Sequence, residues 1–196
     1  GIGSVIVERG TPGFTIGQPS SFMSGEEWCE LHFEDCRIPA ENVLLGPGGF
    51  KKQIAGFNVE RIGNTARSLA FGRHAYETAR QWAMQRRQFG RLLCEFQGLQ
   101  FMLADMAMKL EVARQMVYVA AAKSERGDDD LTFFGAAAKC FASDVAMEIT
   151  TDAVQRLGGY GYSKEYPVER MMRDAKITQI YEGTNQVQRI VMARHL

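Results

Sequence analysis

Hydrophobic and polar positions follow one pattern over residues 1–48 and another beyond them. In the first stretch, short apolar runs are broken every few positions by glycine and proline. Residues 4–9 (SVIVER) read as a strand that stops at the turn Gly10-Thr11-Pro12-Gly13, and residues 29–33 (CELHF) alternate as a strand does. Cys36-Arg37-Ile38-Pro39 leads into another turn, and Pro47-Gly48-Gly49 closes the region. So few strands do not close a sheet, and an isolated hairpin is marginal in water. Their partners are expected upstream of this chain or lost from it. From about Phe50, glycine and proline thin out and apolar residues recur at steps of three and four. Residues 50–87 form a long helical stretch rich in alanine and arginine. Leu99, Leu103, Met106, Leu110, Ala113 and Val117 mark the inner face of a second helix, and Phe134, Ala138, Phe141, Val145 and Ile149 that of a third. Gly127-Asp128-Asp129-Asp130 separates these two, with an acid or Thr132 as the expected cap. Gly158-Gly159-Tyr160-Gly161 ends the third. The pattern therefore predicts a mainly α chain: an antiparallel helical bundle over residues 49–196, preceded by a partial β-domain over residues 1–48. Met102, Met106, Met108 and Met116 read as flexible core filler.

Composition mostly excludes. Of 196 residues 45% are hydrophobic, enough for a sizeable core. Lys+Arg and Asp+Glu balance at 23 each, which removes any electrostatic case for nucleic acid or an anionic membrane surface. No apolar run approaches the roughly 20 residues of a membrane span. Cys29, Cys36, Cys94 and Cys140 form no CxxC pair and read as free thiols of a reducing compartment. His32, His74 and His195 stand apart, so no metal site is expected. Gly1 to Glu8 reads as a strand without a preamble, as in a fragment.

Candidate chemistry concentrates near the C-terminus, at Ile180-Tyr181-Glu182-Gly183-Thr184-Asn185-Gln186. A lone carboxylate there lies between an aromatic residue and a glycine, and a hydroxyl suited to capping follows. Val187, Ile190 and Val191 then recur at helical spacing, which places Glu182 in a short loop before a helix. A carboxylate in so apolar a setting loses hydration and is expected to have a raised pKa, as a general base requires. It also reads as an exposed glutamate at a helix start. Gly158-Gly159-Tyr160-Gly161 follows a helix and is therefore not a dinucleotide fingerprint, yet it could admit a phosphate or a ring as readily as serve for a C-cap. Arg86-Arg87-Gln88-Phe89-Gly90 ends the first long helix either as a favourable cluster of positive charge or as a phosphate grip.

Taken together, these segments resemble the C-terminal half of the acyl-CoA dehydrogenase family, flavin enzymes that desaturate acyl-CoA thioesters. The matching pieces, in order, are FEDCRIPAENVLLG, the RRQFG helix end, CEFQGLQFMLADMAMKLEVAR, DAVQRLGGYGYSKEYPVERMMRDAKI and IYEGTNQVQRIVMAR. The resemblance implies that Glu182 removes the α-proton of the thioester and that Gly183 contacts the acyl-CoA. Thr184, Asn185 and Gln186 would meet the flavin at the start of the last helix. Arg86, Gln97, Gln155, Arg156, Leu157, Gly158 and Gly159 match positions that bind FAD, some of them reaching the cofactor of a neighbouring subunit. Arg61 and Asn58 match positions along the acyl-CoA cleft, although many family members carry aspartate where this chain has Asn58. Glu60 is a rival base, since a subset of the family places its carboxylate on that helix. The family also implies a homo-oligomer, commonly a tetramer, with electron-transfer flavoprotein as redox partner. Relatives that use oxygen or act as enoyl-CoA reductases keep a different reaction open, and a non-catalytic oligomerising module is the alternative from another class. Relative to the family, the chain begins inside the β-domain and ends short of the usual tail.

Overall fold

The alternation at the start of the chain makes two small antiparallel ladders. In the computed structural model, which describes Gly1 to Leu196, β1 (Ser4–Val5) pairs with β4 (Val43–Leu45), and β2 (Phe14–Ser21) with β3 (Glu27–Phe33). β1 is thus much shorter than the strand expected over residues 4–9. β2 carries no clean alternation because Gly17 and Pro19 interrupt it, and its register shifts between Ile16 and Pro19. Such a bulge accommodates a proline, which has no N–H for the ladder. Stacked ring pairs pin the two ends of this hairpin, Phe14 on Phe33 at 5.0 Å and Phe22 on Trp28 at 6.0 Å between centroids. No residue from 1 to 57 is buried, and these residues form one unit without a core of its own.

The second unit, residues 58–196, begins inside α1 (Phe50–Gln85). A tight hairpin, β5 (Arg87–Gln88) and β6 (Arg91–Leu92), joins α1 to α2 (Gln97–Arg126). Then follow α3 (Leu131–Leu157), α4 (Val168–Thr178) and α5 (Asn185–Ala193). α3 is the central helix. It buries Ala142, Val145, Ile149, Ala153 and Leu157 in a core shared with Ala75 and Ala79 of α1, Met106 and Ala113 of α2, and Val168 and Met171 of α4. Small residues let the helices approach: a Cβ added at Gly72 would lie 3.3 Å from a Leu110 methyl and 3.6 Å from the Ala146 Cα. Of the expected inner rows, Leu103, Met106, Leu110 and Ala113 of α2 and Phe141, Val145 and Ile149 of α3 face this core, while Val117 and Ala138 are buried outside it. Of the methionines, Met106 is 1% exposed but Met108 is 58% exposed, because two residues turn a helix by roughly 200°.

The break between α2 and α3 works differently from the expected cap. Gly127 closes α2 in the left-handed region (φ 70). Asp130 precedes α3 without capping it, and its carboxylate accepts from Lys123 Nζ at 2.7 and 2.8 Å. Thr132 lies inside α3, where its hydroxyl accepts from Asn58 Nδ2 at 3.2 Å. The four cysteines are free, no His, Cys, Asp or Glu cluster could hold a metal, and no helix is long and apolar enough to cross a membrane.

Candidate active site around Glu182

Glu182 stands in a short closed loop between α4 and α5. Tyr181 N–H donates to Ile177 O at 3.0 Å, and Asn185 N–H closes the loop onto Gln179 O at 3.0 Å. Glu182 (φ 55) and Gly183 (φ 85) are consecutive residues in the left-handed region, routine for glycine but costly for glutamate. The Thr184 hydroxyl then caps α5, accepting from Val187 N–H at 3.3 Å. This agrees with the loop and capped helix read from the sequence. The orientation of α5 does not follow its apolar row: Val187 and Ile190 are 42% and 52% exposed, whereas Asn185 and Gln188 are buried. The inner face is polar because the loop turns backbone carbonyls inward, and buried carbonyls need donors.

Those donors come from α3 and α5. Lys139, 1% exposed, donates through Nζ to Gly183 O and to Asn185 Oδ1, both at 2.8 Å. Gln188 Nε2 donates to Glu182 O at 2.9 Å and to Gly183 O at 3.0 Å. Asn185 Nδ2 donates to Asp144 Oδ1 at 2.7 Å and to Ser143 Oγ at 2.9 Å. Asp144 also accepts from Gln179 Nε2 at 2.8 Å and from Arg189 Nη2 at 3.0 Å. A short segment of α3 thus holds the loop at both ends.

Burial pulls the Lys139 amine down to about 8, with Cys140, Asp144 and Glu182 opposing the shift and Arg61 adding to it. Arg61 is 7% exposed; burial lowers its guanidinium pKa and Glu182 works the other way. Its Nη1 donates to Asn58 Oδ1 at 2.8 Å, and its Nε is buried without a partner in the chain. Two desolvated cations therefore feel the Glu182 carboxylate, and neither is visible in the local motif. Glu182 itself is half-buried, whereas Glu60 is exposed on α1. Lys139, Asp144 and Gln188 were not among the expected residues. The available signal was a lysine and an aspartate within the apolar run AAAKCFASD.

The remaining expected residues fall into two other places. Arg86, Arg156, Leu157, Gly158 and Gly159 line a cavity of about 600 Å³ with Trp82 and Tyr160. The Arg86 guanidinium lies 5.4 Å from the Tyr160 ring and 5.9 Å from that of Trp82. Arg156 donates to Leu99 O at 2.8 Å, while its Nε and Nη1 are buried without partners. Gly158 has φ 61 and ψ −135, and a Cβ on it or on Gly159 would meet nothing within 4 Å, so bare backbone borders open space. Gln155 and Gln97 are exposed and outside this lining. Thr184, Asn185 and Gln186 line a second cavity, of about 540 Å³, with Asp144, Lys176 and Arg189. Asn185 reaches it with its side-chain amide already engaged inside the chain. The RRQFG segment is a hairpin rather than a helix end, and its turn residues Phe89 and Gly90 both have positive φ. Phe89 is 92% exposed there. Two guanidiniums, aromatic faces and glycine backbone are a donor set that fits an anionic nucleotide cofactor.

Comparison with known proteins shows the family. Residues 47–196 match the family described as "Acyl-CoA dehydrogenase, C-terminal domain". The chain is 52% identical over 199 aligned positions to a Mycobacterium tuberculosis protein named "Probable acyl-CoA dehydrogenase FadE25", covering 100% of this chain and 51% of that protein. The solved butyryl-CoA dehydrogenase of Megasphaera elsdenii superposes with a TM-score of 0.91 at 49% identity, over 97% of this chain and 50% of that one. A chain from the structure described as "Electron transferring flavoprotein of Acidaminococcus fermentans" gives a TM-score of 0.91 at 51% identity, over 97% of this chain and 51% of that one. The chain spans about half the length of the curated relatives it matches. With its fold, the YEGT loop and the glycine-ended central helix all in place, this chain belongs to the acyl-CoA dehydrogenase family.

Proposed function

We propose that the protein carrying this chain is an FAD-dependent acyl-CoA dehydrogenase that forms a double bond between the α and β carbons of an acyl-CoA thioester. Glu182 is the base, and its carboxylate takes the α-proton. The observation that carries this reading is a single half-buried carboxylate, fixed on a loop in the left-handed region and within the field of Arg61 and Lys139. FAD, when bound, would supply the acceptor for the β-hydrogen and its electron pair. Arg86 and Arg156 would meet its phosphates, with Gly158 and Gly159 letting it approach the backbone. Leu157 shares that lining, Gln155 and Gln97 are assigned to the cofactor by the family resemblance alone, and Thr184 and Gln186, with Asn185 held beneath them, form a second cofactor group. Asn58, Arg61 and Gly183 line the acyl-CoA side.

Residues 1–48 are read as part of a β-domain and residues 49–196 as the helical domain. The assembly is a homotetramer, and reduced flavin passes its electrons to an electron-transfer flavoprotein. The Megasphaera relative named for butyryl-CoA favours a short acyl chain, which a panel of thioesters from butyryl to palmitoyl measures directly. Glu182→Gln in the flavin-loaded protein tests the base. Flavin content and ligand binding should persist while turnover falls by about 100-fold or more, the usual weight of a general base. Glu60→Gln should retain turnover. The reverse pattern would assign the base to Glu60.

A further inference from the structure

Glutamate at φ 55 does not hold that backbone unaided; such residues persist where the surroundings over-determine them. Here the surroundings are specific. The peptide carbonyls on the C-terminal sides of Glu182 and Gly183 both point inward, and three hydrogen bonds from two buried side chains meet them. Lys139 approaches from α3, 44 positions earlier in the chain, and Gln188 from the first turn of α5. Neither side chain is accessible, at 1% and 0% exposure. Neither is a candidate to touch substrate.

We propose that Lys139 and Gln188 are positioning residues that hold the left-handed Glu182–Gly183 backbone from beneath and so aim the Glu182 carboxylate. Three features support a role in aiming over one in general stability. Both side chains converge on the Gly183 carbonyl, and Gln188 reaches that of Glu182 as well, rather than bonding to the helices that carry them. The lysine's other partner, Asn185 Oδ1, belongs to the residue that closes the loop and is itself held by Ser143 and Asp144. A Cβ at Gly183 would stand 2.7 Å from Gln188 Nε2, so the amide is seated directly against the turn.

The inference rests on Glu182 acting as the base, and the test separates the two. Lys139→Met and Gln188→Met remove the donors while roughly keeping volume. They are compared with wild type and Glu182→Gln in the flavin-loaded protein. Each methionine variant should lower kcat by about 10- to 100-fold with KM changed less than about threefold, since a misaimed base costs rate rather than binding. Amide exchange should quicken at residues 181–185 and stay unchanged along α2. Lys139→Arg, which keeps a donor, should be faster than Lys139→Met. Unchanged kcat and unchanged loop exchange in both methionine variants would overturn the proposal. So would loss of rate accompanied by faster exchange throughout the bundle, which marks plain destabilisation. If Glu182→Gln stays active, the base assignment fails, and exchange at residues 181–185 still decides whether the two side chains hold the loop.

Discussion

At position 139 a lysine is buried in a stretch of α3 whose other buried residues, from Gly135 to Ser143, are all small, and its proton affinity carries the mark of that place. Its amine titrates near 8, below the ordinary 10.5, chiefly because burial penalises the charged form. Between those values the unfolded chain binds more protons than the folded one, so this group makes stability rise with pH across that window, by at most about 1.4 kcal/mol per unit. The neutral amine keeps two N–H groups, enough for Gly183 O and Asn185 Oδ1. Urea unfolding of wild type and Lys139→Met at stepped pH should show a difference that grows in favour of wild type from about 8 upward; a flat difference would contradict the shift. Arg86 tests the other site. Arg86→Ala should lower flavin content after gel filtration more than it raises the substrate KM, because a charge-assisted bond to phosphate is worth about 1.5–3 kcal/mol. Glu182 and its capping Thr184 were legible from seven consecutive residues. Lys139 and Gln188 were not, because the acceptor they share is the backbone carbonyl of Gly183, 44 positions from the lysine, and a sequence motif records side chains only.

Helices of period 3.6 announce themselves, and the inner rows of α2 and α3 lie where the steps of three and four put them. Two elements escaped that reading. The β5–β6 hairpin hides behind Phe89, a residue type rarely used at positive φ, where asparagine or aspartate before glycine would have signalled the turn. α5 carries an apolar row, but its polar row is the buried one, since it answers the donor needs of a loop that the helix itself terminates. The glycine run after α3 gives a contrast at this scale. A Cβ at Gly161 would lie 2.3 Å from Val154 O and 2.9 Å from Val154 Cα. Gly161→Ala should therefore cost about 2 kcal/mol or more, because backbone has to move. A Cβ at Gly159 meets nothing within 4 Å, so Gly159→Ala should melt within about 0.5 kcal/mol of wild type. Any fall in its flavin content then reports a ligand against that backbone. Equal destabilisation of the two variants would refute the contrast.

For the chain as a whole, the shift of texture near Phe50 was legible and coincides with the start of α1. What the pattern could not show is how unevenly burial is shared. Residues 58–196 hold every buried side chain, while residues 1–57 hold none. α2 also turns apolar residues outward: Phe101, Met108, Val112 and Val119, 61%, 58%, 45% and 42% exposed, follow steps of seven and four along one side. The 196-residue chain should therefore be folded and mostly helical by circular dichroism, and associated by light scattering, yet without acyl-CoA turnover when FAD is added. Met108→Lys should shift the scattering toward smaller species. A disordered monomer would defeat the structural half of this expectation, and turnover like that of a full-length relative the other half.

With Glu182 as the proposed base, its left-handed backbone sets chemistry and durability against each other. A residue with a side chain held there costs roughly 1–2 kcal/mol, whereas asparagine tolerates that region better than most. Selection for heat resistance alone, blind to turnover, should accordingly discard the carboxylate: Glu182→Asn survivors should outlast the parent on heating and be inert toward thioesters. Duplicated copies released from the reaction should drift the same way, with this position among the earliest to change. A library randomised at codon 182 and sorted first by melting and then by activity would show two populations with little overlap.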